Sequence, residues 1–159
     1  MPHRLYDWRT RVRAALREYH AVRIGVDLLG EAGVDDIHAL TEARGWDDLA
    51  ASEIYTADNN LEATYIIRIY SVFERAVSSF WNAIPGNEDR DPIDGDELLD
   101  EVGLARLIDE EVIQAAQQVR IHRNNLVHGR IDVHAAAMTI EAANRDLLTY
   151  LDRLPGTWG

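Results

Sequence analysis

Apolar residues recur along this chain at intervals of three and four, the spacing that gathers side chains on one face of an α-helix. Leu5, Trp8, Val12, Ala15, Leu16, Tyr19, Val22 and Val26 mark a first helix over 4–29, with arginines between them and Gly30 and Gly33 as breakers. Residues 35–51 fit one or two short helices interrupted at Gly45. The clearest pattern covers 60–84. Ile66, Ile69, Tyr70, Phe73, Val77, Phe80 and Ile84 form its apolar stripe, and Arg68, Ser71, Arg75, Ser78 and Asn82 the opposite face. Asp58 or Asn59 is placed to cap its start and Pro85-Gly86 to end it. A polar loop over 86–95 leads to a short helix over 96–108. The next helix, 110–127, carries Val112, Ala116, Val119, Arg123, Leu126 and Val127 on one stripe, with Gly129 as its C-terminal cap. A last helix over 133–154 buries Met138, Ile140, Leu147, Leu148 and Leu151. No segment alternates as a strand does, and no repeat is visible. These elements predict a single all-α domain over 1–159, a helical bundle of about four long helices plus short ones.

Composition narrows the function classes. At 159 residues, 47 % hydrophobic and 28 % charged, the chain can bury a core without staples. It has no cysteine, which excludes disulfides, thiol catalysis and cysteine-based zinc sites. It has no lysine either, so Schiff-base chemistry is closed. No secretory signal and no apolar run of roughly 20 residues is visible, so a cytoplasmic protein without a membrane span is expected.

Charge is unevenly spread. The formal net charge is -12, whereas nucleic-acid binders are usually basic. The first helix nevertheless carries Arg4, Arg9, Arg11, Arg13, Arg17 and Arg23 against Asp7 and Glu18. Residues 85–111 are strongly acidic, with only Arg90 and Arg106 as cations. The acidic loop fails as a calcium loop, because Pro92 falls at a ligand position. His122, His128 and His134 are spaced by six, which sets helical neighbours about 120° apart and prevents chelation. No metal and no cofactor is expected.

The segment His122-Arg123-Asn124-Asn125-Leu126-Val127-His128-Gly129 carries the candidate chemistry. Arg123 falls on an apolar stripe, where a free arginine is costly. His128 stands at a helix C-terminus, where the dipole favours an imidazolium. Asn124, one turn earlier, is placed to hold its ring. An arginine to neutralise a phosphate and a histidine to move a proton are the parts of metal-free RNA cleavage. In the plainer reading, Arg123 pairs with Glu74, which lies beside the apolar stripe of 60–84, and His128 only closes a helix.

Arg123, four intervening residues and His128, with a polar residue directly after the arginine, resemble the motif of the HEPN family. The run from Tyr65 to Glu74 is similar to a long bundle helix of that family. The resemblance covers about residues 55–154. It implies a helical bundle and, for many members, a metal-independent endoribonuclease in toxin–antitoxin or anti-phage systems. It also implies a homodimer with a composite site, an RNA substrate and, in some systems, a nucleotidyltransferase-like antitoxin. By position, Arg123, Asn124 and His128 would be the active residues, with Glu74 and Asn125 in support. Other members are catalytically silent and act as protein-interaction or RNA-binding modules. The acidic stretch would then face a partner.

Overall fold

A computed structural model describes residues 3–31, 34–46, 51–87, 93–129 and 138–159. Among these residues six helices follow in order: α1 (Leu5–Glu31), α2 (Val34–Glu42), α3 (Ala51–Asn82), α4 (Gly95–Arg106), α5 (Glu110–Val127) and α6 (Ile140–Leu151). The all-α class expected from the periodicity is the class observed. No helix among the described residues is long and apolar enough to cross a membrane.

α3 is the central element and touches α1, α4, α5 and α6. Its stripe is buried as the spacing requires: Ile66, Ile69, Tyr70, Phe73, Val77 and Phe80 all lie in the core. On α1 the fully buried residues run from Leu5 to Tyr19, and on α3 the first among the described side chains is Tyr65. The edge-on contact of Tyr19 and Tyr65, with centroids 5.7 Å apart, marks that limit. Beyond it polar contacts also join the two helices, among them Arg23 to Asp58 at 2.7 Å, and α2 buries Ile37. The start of α6 is fastened to both helices. Glu62 accepts the Ile140 N–H at 2.9 Å, and the His20 ring lies 3.0 Å from a Glu141 carboxylate oxygen. Thr139 caps α6 through the Ala142 N–H.

Four expectations change. α3 begins nine positions before 60, and Asp58 sits inside it, taken up by Arg23 rather than acting as a cap. On α5 the buried residues are Ile113, Ala116, Gln117 and Val119, while Val127 is exposed. Gln117 is buried because its amide donates to the Asp96 carbonyl at 2.9 Å and to Asp100 at 3.1 Å, which hydrophobic spacing cannot reveal. The last helix begins at Ile140, where Thr139 caps it in an extended conformation, so the described Met138 and Thr139 precede it rather than belong to it, and 133–137 lie outside the described residues. Finally, β1 (His3–Arg4) and β2 (Thr157–Trp158) form a two-residue antiparallel pair, too short to leave an alternation pattern. It is reinforced by Leu5 N–H donating to the Gly156 carbonyl and by Trp158, whose indole donates to Ser79 and meets Phe80 edge-on. Of the remaining tryptophans, Trp8 and Trp81 are buried and Trp46 is exposed.

Two outcomes follow from this packing. The buried Tyr150 hydroxyl donates to the Leu99 carbonyl at 2.7 Å. Tyr150→Phe is expected to cost about 1 kcal/mol in urea unfolding, with the fold kept. The second concerns acid. The hydrogen bond with His20 holds the Glu141 carboxyl below its ordinary 4.5. A carboxyl depressed on folding contributes fully above its ordinary value, and the contribution is lost as pH falls through the folded value. The urea midpoint should therefore fall below pH 4.5. The fall should be shallower in Glu141→Gln.

Candidate functional site

The C-terminal end of α5 carries the motif. Arg123 is half-buried, with its guanidinium carbon 5.6 Å from the centroid of the Tyr70 ring on α3. One Nη donates to the Asn124 side-chain oxygen at 2.8 Å. Its Nε is buried and has no hydrogen-bond partner among the described residues. Among the described residues no carboxylate pairs with Arg123, so the Arg123–Glu74 ion pair of the plainer reading is not formed. What holds this cation is an aromatic face and a neighbouring amide. A desolvated guanidinium over a ring gains roughly 1–2 kcal/mol, which leaves its charge unneutralised.

Tyr70 is itself fully buried. Burial, followed by the charge of Glu74, pushes its hydroxyl up, while Arg120 and Arg123 oppose the shift in part. The phenol is therefore neutral and able to donate across the physiological range. Glu74 stands one turn after Tyr70 on α3, half-buried, where the start of α4 passes close by. A Cβ on Gly95 would lie 3.4 Å from a Glu74 carboxylate oxygen, 3.7 Å from the Arg120 side chain and 3.8 Å from the Tyr70 hydroxyl. Arg120, one turn before Arg123, is spoken for. Its Nε donates to Gln117 at 2.8 Å, and an Nη lies 3.8 Å from Asp96. Two arginines thus share one face of α5, one tied to polar partners on α4 and α5 and one without a counter-ion among the described residues.

His128 closes α5 at φ −92° and ψ 5°, its backbone N–H donating to the Asn124 carbonyl at 3.0 Å. Gly129 follows at φ 63°, the left-handed conformation expected of a C-terminal glycine. The His128 ring is exposed and has no hydrogen-bond partner among the described residues. The expected side-chain bond from Asn124 to His128 is absent, because the Asn124 oxygen accepts from Arg123 instead. Asn124 and His128, four residues apart, lie on nearly the same face, about 40° from each other, whereas Arg123 and His128 are about 140° apart. Asn124 is thus the residue that touches Arg123 and shares the helix face of His128. Asn125 is half-buried beside them, and His134 lies outside the described residues.

Three residues of this site carry no motif signal in the sequence. Tyr70 reads there as core and Gly95 as loop, and Arg120 stands out in no pattern. The usable signal is the pairing of Tyr70 with Glu74 at i, i+4 and of Arg120 with Arg123 at i, i+3 on facing helices. Comparison with family models, with curated proteins and with solved structures finds no match.

An arginine with a buried, unsatisfied nitrogen adds little to stability. Arg123→Met is expected to unfold within about 1 kcal/mol of wild type in urea. A larger loss would mark Arg123 as a structural residue.

Proposed function

We propose that this chain is a metal-independent endoribonuclease of the HEPN type, acting on RNA as a homodimer in toxin–antitoxin or anti-phage defence. The observation that carries this reading is Arg123, without a counter-ion among the described residues, held over Tyr70 and hydrogen-bonded to Asn124 on the helix turn that ends at the exposed His128. A 2′-hydroxyl attacks the adjacent phosphorus, the bond to the 5′-oxygen breaks, and a cyclic phosphate and a 5′-hydroxyl result. Arg123 stabilises the charge that grows on the phosphoryl oxygens. His128 transfers the proton, and Asn124 holds the guanidinium in place. One step removes a proton from the attacking oxygen while another supplies one to the leaving oxygen. Two copies, each bringing a His128, provide both at once.

The net charge of -12 opposes RNA at long range. The outward arginines Arg13 and Arg17 of α1 have no ion pair among the described residues, whereas Arg9 and Arg23 are paired with Asp152 and with Asp27 and Asp58. Two copies of α1 flanking a dimer groove supply local positive charge. A nucleotidyltransferase-like antitoxin is the partner this reading suggests. The acidic balance favours a second reading, a catalytically silent bundle that acts as an interaction module.

The two readings separate in one assay, RNA cleavage by purified protein in EDTA, with end-group analysis and light scattering. The nuclease reading expects a dimer that leaves cyclic-phosphate ends. His128→Ala should lose at least about a hundredfold in rate. Its melting should be unchanged, because the ring is exposed. Full activity in that variant would refute the assignment, and a stable dimer that cleaves no RNA would support the silent module.

A further inference from the structure

The other end of α5 holds a feature that neither the fold nor the motif explains. α4 ends at Arg106, and Leu107 adopts φ 52° and ψ 45°. The Leu107 N–H donates to the Leu104 carbonyl and the Ile108 N–H to the Gly103 carbonyl, a glycine-type helix ending. A leucine there is strained, since its Cβ crowds the backbone where glycine would not. Its side chain gains nothing from burial: Leu107 is 87 % exposed, and Leu104, one turn earlier, is 71 % exposed. Burial among the described residues does not offset this strain, and strain of this kind is kept where a function requires it.

Leu104 and Leu107 border a cavity of about 310 Å³ between the end of α4 and the first turns of α5. Ile108 and Ile113 lie within it, and Asp100, Glu110 and Gln114 form its polar edge. The floor is closed, since a Cβ on Gly103 would come within 2.4 Å of Ile113. Glu101 and Glu111, next to Asp100 and Glu110 in the chain, are exposed. Two arginines also stand at this corner: Arg153 pairs with Asp109 at 3.1 Å, and Arg106 turns its Nε to the Arg153 carbonyl, so the carboxylates left for a partner are those of Asp100, Glu101, Glu110 and Glu111. Two protruding leucines over an apolar floor within an acidic frame match an amphipathic segment of the opposite charge.

We infer that this leucine-edged, acid-framed cavity docks a basic amphipathic helix of a partner protein. Leucine-type side chains of the partner enter between Leu104 and Leu107, and its arginines or lysines meet Asp100 and Glu110. From Gln114 to His128 is about 21 Å along the helix axis. A partner seated here leaves the Arg123 end uncovered, so the inference stands whether or not the chain cleaves RNA.

The probe is a synthetic, fluorescein-labelled helix with leucines at i, i+3, i+4 and i+7 and arginines on its other face. Binding to the full chain is read by fluorescence anisotropy. Saturable, micromolar binding is expected at low salt, about fivefold weaker at threefold higher salt. A peptide with glutamates in place of the arginines should not bind. Leu107→Gly should weaken binding at least about tenfold while melting no lower than wild type, since glycine relieves the left-handed strain. Glu110→Gln should weaken binding without moving the apolar contacts. Equal affinity in wild type and Leu107→Gly would overturn the proposal, as would no saturation at roughly millimolar peptide. Loss of a dimer in Leu107→Gly by sedimentation would also overturn it, showing the occupant to be a second copy.

Discussion

Tyr150 ties three helices together at one point. Its ring stands edge-on to Phe73 of α3 at 5.5 Å, and its hydroxyl reaches the Leu99 carbonyl of α4 from α6. Burial pushes that hydroxyl up, so it stays a donor under all ordinary conditions. The same Phe73 is tilted against Tyr70 at 5.8 Å, and Tyr70 in turn carries the Arg123 guanidinium. The core and the candidate site therefore share one aromatic row. Interiors pack at crystal-like density, so a shift at Tyr150 passes to the platform under Arg123.

How much of this was legible depended on what kind of contact decided each element. Where hydrophobic burial decided, spacing sufficed: Ile66 to Phe80 on α3 and Ile140, Leu147 and Leu151 on α6 lie in the core as their period requires. Where a polar partner decided, it did not. Gln117 is buried on the strength of hydrogen bonds to α4, and Asp58 lies mid-helix because Arg23 answers it from α1. Both facts join positions far apart in the chain, and local pattern carries no record of them. The site divides in the same way. Arg123, Asn124 and His128 are contiguous on one helix and could be read together. Tyr70, Glu74 and Gly95 reach them only through the packing of α3, α4 and α5.

α5 has a different neighbour at each end. Its first turns face the acidic α4–α5 corner, and its last turn carries the motif. Between them the Gln117–Arg120 pair locks its register against Asp96 and Asp100. A helix fixed in the middle holds both ends still relative to α3, and rigid placement of this kind is what a site of charged side chains needs.

The short ladder at the edge of the bundle has a mechanical consequence. His3 pairs with Trp158 and Arg4 with Thr157, so the outermost residues of the two strands lie side by side. Tension applied between His3 and Trp158 loads these pairs one after the other, as in a zipper, rather than all at once in shear. Once they part, the next rung is the bond from the Leu5 N–H to the Gly156 carbonyl, while the indole of Trp158 stays seated on Ser79 and Phe80. The molecule is thus built to yield to a weak pull from this corner, in small steps and from the edge inward, whatever its resistance to heat.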